Sequence, residues 1–241
     1  MIESYIPAIQ EVFRRNGFPL ERFMEIPITV IGPTGISQRF QQKWEYKSKD
    51  EQWSILVNPD GVVLQTTNYD RFDGYAEKLR LAVDTVLKAT DHDRLGVLRR
   101  VGIRYVNLIR PQAGEDFRAY VAPGFHGLQE EGVFQANAGR LQCQMVGATR
   151  VGARAGTLAV RVTQNDRGEE LPPDLLEFAP LRTAVSRAGE LLTIVDMDHA
   201  LEGRFDCDVD WIVQNVNLLH THLESVFFEH VVTPHAWEVW S

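Results

Sequence analysis

The sequence predicts an α+β protein built as two antiparallel β-meander-plus-long-helix halves packed together, with sheets wrapping amphipathic helices. Alternating apolar and polar residues over 38–68, interrupted by Asp50-Glu51 and by Asn58-Pro59-Asp60-Gly61, mark a three-stranded meander. Residues 71–90 and 211–232 instead repeat their apolar side chains at intervals of three and four, which is the helical period. Between these lie β-branched runs bounded by glycine and proline, the composition of strands and turns.

Along the chain, Tyr5, Ile9, Val12 and Phe13 form a helical stripe over 4–15. Pro7 falls in the first turn, where a missing N–H costs little, and Asn16-Gly17 offers a left-handed stop. Residues 23–31 read as a strand closed by Gly32-Pro33. In the meander, Phe40, Trp44 and Tyr46 share one face and Arg39, Gln41, Lys43 and Glu45 the other, so one face is expected packed and one wet. Asp70 is the expected N-cap of the 71–90 helix, whose stripe is Phe72, Tyr75, Leu79, Ala82, Val83 and Val86. Residues 99–109 read as a further strand before Pro111.

The second half repeats the plan. Strands are expected at 139–147, 148–153, 157–164 and 191–196, with the proline-rich 171–190 as an excursion between strands. A helix follows over 211–232, with Ile212, Val216, Leu219, Leu223, Val226 and His230 on its packed side and Thr233-Pro234 as its stop. The expected division is an N-terminal helix, meander and long-helix half at 1–111 and a β-rich half closing on a long helix at 112–241, the two packed as one unit.

Charge sharpens this picture. The 241 residues carry a formal net charge of −8, unevenly placed: residues 94–161 sum to +6 and residues 162–241 to −11. Every basic residue of the middle stretch is arginine, whose planar fork suits bidentate pairing with carboxylate or phosphate. Because the acids lie downstream in the same chain, an internal electrostatic seam is preferred over an anion site. Cys143 and Cys207 make no disulfide framework, no apolar run approaches the roughly 20 residues of a spanning helix, and the N-terminus has no basic cluster, so a cytoplasmic address and no membrane association are expected.

No motif carries a reaction. Gly32-Pro33-Thr34-Gly35 lacks the lysine of a phosphate loop, and Gly152-Ala153-Arg154-Ala155-Gly156 is no dinucleotide fingerprint. His220, His222 and Glu224 lack the HExxH arrangement and are assigned to a helix surface or interface. Asp196, Asp198, Asp206, Asp208 and Asp210 are the most chemical-looking group, since hard carboxylates hold Mg²⁺ or Ca²⁺. An EF-hand loop is excluded, because its sixth and twelfth positions counted from Asp206 are Trp211 and Asn217. Helix capping by Asp208 or Asp210, and pairing with the arginines, is the preferred role of this cluster. On the strand Arg100-Val101-Gly102-Ile103-Arg104-Tyr105-Val106-Asn107, two arginines flank a glycine on one face. Gly102 there predicts close backbone approach and a salt-bridged sheet face.

That strand, of pattern R-x-G-[LI]-R-Y-[VI]-N, occurs in order with Pro7 and Glu11, Trp44-Glu45-Tyr46 with Ser48 and Asp50, Thr66-Thr67-Asn68-Tyr69, Asp196-Met197-Asp198, Leu219-His220, Phe227-Phe228 and Val232-Thr233-Pro234. Together they resemble a sporadically distributed family of uncharacterised bacterial proteins of about this size, over nearly the whole chain. The opening segment departs most, since the family pattern also permits a strand there. Patchy distribution implies horizontally exchanged genes, and so a mobile defence or toxin–antitoxin locus; no activity, cofactor or catalytic residue is implied.

The expected function is therefore a soluble bacterial binding or regulatory protein, taking a protein partner or small ligand, with no cofactor and with the enzyme reading disfavoured. Arg100, Arg104, Tyr105 and Asn107 are the candidate contacts. The first alternative is a metal-dependent phosphoesterase or nuclease using the five aspartates. The second is nucleic-acid binding through Arg99, Arg100, Arg104, Arg150 and Arg154, disfavoured by the acidic total.

Overall fold

The structure, a computed structural model, describes residues 2–32, 35–127, 142–165, 171, 172, 175 and 192–240. The protein is α+β, with two antiparallel sheets of four strands each. Its described residues form two compact units, 2–98 with 205–213, and 99–204 with 214–240.

In the first unit a single 3-10 turn leads into helix α1 (Ile6–Arg15), with Pro7 in its opening turn. The buried stripe is Ile6, Ile9 and Phe13, while Tyr5 and Val12 are exposed. Gly17, at φ 94°, lets Phe18 N–H return to Phe13 O at 3.0 Å, which satisfies a terminal carbonyl and stops the helix. Strands β1 (Leu20–Gly32) and β2 (Gly35–Lys47) form a long hairpin paired from Leu20↔Lys47 to Gly32↔Gly35. Strands β3 (Trp53–Asn58) and β4 (Gly61–Thr66) follow in order, so the expected three-stranded meander gains β1 as a fourth strand. At the β3–β4 turn, Asn58 Oδ1 accepts from Asp60 N–H at 2.8 Å.

Helix α2 (Phe72–Ala89) follows, and α3 (His92–Leu95) is a single turn. Arg71, not Asp70, stands at the N-cap of α2, and no side chain caps it. Both longer helices lie on the sheet face that carries Tyr46, Ile55 and Leu64. Phe13 meets Tyr46 edge-on at 5.1 Å, Tyr75 lies 6.3 Å from Trp53, and Tyr75 Oη donates to Leu64 O at 3.1 Å. The other face was expected to be wet, and it is not. Lys43, Glu45, Ser54 and Leu56 are all buried there, whereas Phe40, expected in the packed set, is 68% exposed. Alternation decides which side chains share a face; it does not decide what covers that face.

The second unit contains β5 (Val97–Ile109) from its third residue onward, β6 (Gln142–Val151), β7 (Arg154–Asn165) and most of β8 (Leu192–Asp206). The strand order is β5-β8-β7-β6, so β5 pairs at the far side of β8, and the second compact unit begins at Arg99, inside β5. Gly102 permits this neighbour, because a Cβ there would meet Ala200 Cβ and His199 O at 3.1 Å each. Two strand boundaries also differ from expectation. Gly147 sits inside β6 rather than breaking it, the turn being Gly152-Ala153 with Gly152 at φ 59°, and β8 continues through Asp206 instead of stopping at 196. The predicted start at 139 and nearly all of the 171–190 excursion lie outside the described residues.

Helix α4 (Val209–Val226) buries Ile212, Val216, Leu219 and Leu223 as expected, and Asp208 caps it by accepting from Trp211 N–H at 2.6 Å. A π-helical turn (Phe227–Val231) then inserts an extra residue and rotates the chain, so Val231 is buried while His230, expected on the packed side, is exposed. Thr233-Pro234 opens a further helix instead of ending the chain's helical part. In α5 (Pro234–Trp240) Thr233 Oγ1 accepts from Ala236 N–H at 3.2 Å. This end is tied to the 110–126 segment by the Val121↔Val232 bridge and by Thr233 N–H to Tyr120 O at 2.9 Å.

Candidate functional site

On β5, alternation sends Arg100, Gly102 and Arg104 to one face of the second sheet and Val101, Ile103 and Tyr105 to the other. Extending β8 through the acidic segment places Asp196 and Asp198 on the first of these faces, one strand away. Arg104 holds Asp196 through Nε at 2.7 Å and Nη2 at 2.9 Å, and Arg161 of β7 reaches the same carboxylate at 3.0 Å. Arg100 Nη2 spans both oxygens of Asp198 at 2.9 Å. The result is a charged lattice across β5, β8 and β7, with Asp196 buried at its centre and Arg100 and Asp198 half-exposed at its rim. It realises the internal seam that the arginine and aspartate counts suggested.

This pairing governs the other candidates. The five aspartates are not brought together as a metal-ligand set: Asp196 and Asp198 serve arginines, Asp208 caps α4, and Asp210 pairs with Arg80 at 2.5 Å. Among the described residues no group of three or more His, Cys, Asp or Glu is placed to hold a metal ion. Nor do the five arginines make one nucleic-acid surface. Arg99 and Arg100 leave β5 on opposite faces, and Arg100 and Arg104 are neutralised by carboxylates.

Tyr105 and Asn107 lie on the opposite face, which α4 covers. Tyr105 Oη meets His220 Nδ1 at 2.8 Å, so His220 belongs to the sheet–helix interface, and its burial holds its pKa below the ordinary histidine range. Asn107 shares that face and is half-buried. Further along α4, His199 of β8 is fully buried. Its Nδ1 lies 3.4 Å from Leu219 O, which only accepts, so Nδ1 carries the proton and Nε2 accepts from Thr149 Oγ1 at 2.8 Å. Burial pushes the His199 pKa down, consistent with a neutral ring. The ring of His222 lies 4.8 Å away, and its buried Nδ1 has no hydrogen-bond partner among the described residues.

Beside this interface the same face opens into an apolar groove of about 200 Å³. Met145, Gly147 and Thr149 of β6, with Leu158 and Val160 of β7, form its floor; Val226, Val231 and Phe125 form its wall. The π turn that shapes this wall also exposes Phe228, which meets Trp237 edge-on at 4.5 Å. Trp240 stacks on Phe227 with centroids 6.4 Å apart. Phe228, Trp237 and Trp240 are 40%, 54% and 43% exposed, so the turn and α5 present an aromatic ledge next in sequence to the groove residues Val226 and Val231. Sequence reasoning missed both features. Their only linear trace is the aromatic richness of 227–240, because the groove depends on β6, β7 and the π turn converging.

Comparison with protein-family models, with curated proteins and with solved structures gives no match to this chain. No helix among the described residues is long and apolar enough to cross a membrane.

Proposed function

We propose that this is a partner-binding protein whose second unit recognises an apolar segment of another protein through the groove and the aromatic ledge. The exposure of Phe228 and Trp237, packed edge-on against each other, and of Trp240 at the end of the same segment carries the reading. Large aromatic side chains left in water are the usual anchors of protein interfaces, since each offers wide apolar area at little entropic cost. Exposed Glu224, Glu229 and Glu238 lie on the same helical segments, so the partner segment is apolar with flanking lysine or arginine. A place in a mobile defence or toxin–antitoxin locus rests on the family resemblance alone. The phosphoesterase reading is set aside because Asp196 and Asp198 are held by arginines, Asp208 caps α4 and Asp210 pairs with Arg80, and the nucleic-acid reading because Arg100 and Arg104 are neutralised by carboxylates.

The test compares capture by the intact wild-type chain with capture by Phe228→Ala and Trp237→Ala. One protein retained by wild type and by Lys49→Ala should bind each aromatic variant at least about tenfold more weakly. Undiminished capture by both variants overturns the proposal, as does retention of nucleic acid that falls steeply with salt.

A further inference from the structure

Among the described residues each of the four sheet edges presents a row of main-chain N–H and C=O groups, and three of them are defended. β1 carries Glu21, Arg22, Glu25 and Pro27, β4 is only six residues long, and β5 displays Arg99, Arg100 and Arg104. β6 is different. Its ten residues, Gln-Cys-Gln-Met-Val-Gly-Ala-Thr-Arg-Val, include no proline, no lysine and one charge, Arg150. They are exposed almost throughout, with Met145 at 48% and Val146 at 59% on opposite faces. A long, flat, nearly neutral edge of this kind is a template for another strand.

We infer that the occupant is the β6 strand of a second copy of this chain, paired antiparallel about a two-fold axis at Val146. That register is self-complementary. Val146 faces its own counterpart, Met145 lies over the bare backbone of the partner's Gly147, Gln144 faces the partner's Ala148, and Arg150 faces the partner's neutral Gln142, so no like charges oppose each other. Gly147 has nothing within 4 Å of where its Cβ would stand, which leaves room for the incoming methionine. Directly opposed residues share a face, so Met145 and Gly147 of both copies lie on the groove side, and the two groove floors become one continuous sheet. The seam is a single strand pair and buries less than a standard interface, so association is reversible in the micromolar range.

Because Val146 meets itself, a charge swap reads the register. In sedimentation of the purified chain, wild type should pass from monomer to dimer as its concentration rises through the micromolar range. Val146→Lys and Val146→Glu, each placing like charges across the axis, should weaken the dimer at least about tenfold. An equimolar mixture of the two should restore it, which also shows that both variants fold. A wild type that stays monomeric overturns the inference, as does undiminished dimerisation of either variant or a mixture that stays monomeric. The measurement needs no other protein, so its failure leaves the aromatic-ledge reading standing, and failure of that reading leaves this one standing.

Discussion

Glu45 in the first sheet and Asp196 in the second are both buried carboxylates on sheet faces, and their surroundings are opposite. Glu45 accepts from the Ser54 hydroxyl at 3.0 Å, but its second oxygen has no hydrogen-bond partner among the described residues, with Lys47 Nζ no nearer than 3.9 Å. Desolvation consequently raises its pKa above the ordinary carboxylate range. Asp196 is held by Arg104 and Arg161 through three hydrogen bonds. The contrast teaches that burial of a charge says little by itself. A carboxylate between two guanidinium forks is a structural joint, and one beside a single hydroxyl is a cost borne by the fold.

The largest effect should come from Asp196→Ala. Removing the acceptor shared by Arg104 and Arg161 should destabilise the second unit by about 3–5 kcal/mol, measured by denaturant unfolding. A loss under 1 kcal/mol would mean the lattice is ornamental and the contrast false. Thr149→Val comes next, at about 1–3 kcal/mol, because it strips the hydroxyl donor from His199 Nε2. The same site sets a pH dependence. With its folded pKa below the ordinary 6.5, neutral His199 contributes stability that is present above that value and is lost as pH falls through the lowered one. Thermal melts should therefore show wild type weakening on acidification below 6.5, and a flat profile would contradict the neutral-ring assignment.

Glu45→Gln should act in the other direction. It keeps an acceptor for Ser54 and removes the buried charge, so it should stabilise the protein at neutral pH by about 1 kcal/mol, roughly 2–4 °C in Tm. The sign follows from the raised pKa. Glu45 favours folding below 4.5, where it is protonated in both states, and that contribution is lost as pH rises through its folded value. The advantage of the glutamine variant should accordingly grow between pH 4 and 7. The smallest change belongs to Arg100→Ala. Its pair with Asp198 is about half-exposed on both sides, and its loss should cost less than about 1 kcal/mol and less still at high salt. A cost equal to that of Asp196→Ala would show that the rim and the centre of the lattice act as one.

Much of this architecture can be read in the linear sequence where local chemistry decides. The stop at Gly17, the turn at Asn58-Pro59-Asp60-Gly61, the cap at Asp208 and the stripe of α4 each depend on a few neighbouring residues, and they fall where expected. The lattice was partly legible too, because ten arginines upstream of an acid-rich end must meet something on folding. The groove was not legible. It requires β6 and β7 to lie against a π turn some seventy residues further on, and no local pattern announces that turn. His230 shows why: its spacing continues the helical stripe, and one inserted residue takes it into water.

The α+β class, the alternation that puts Arg100 and Arg104 on one face, and the charge excess that had to be matched all follow from the order of residues. That β5 joins β8, that Asp196 rather than another acid sits between two arginines, and that Glu45 is buried without such partners follow only from how the chain packs. The difference is one of range. Helical period, turn chemistry and strand alternation act over a few bonds, whereas burial and ion pairing depend on which distant surfaces meet, as with Arg104 and Asp196, 92 residues apart.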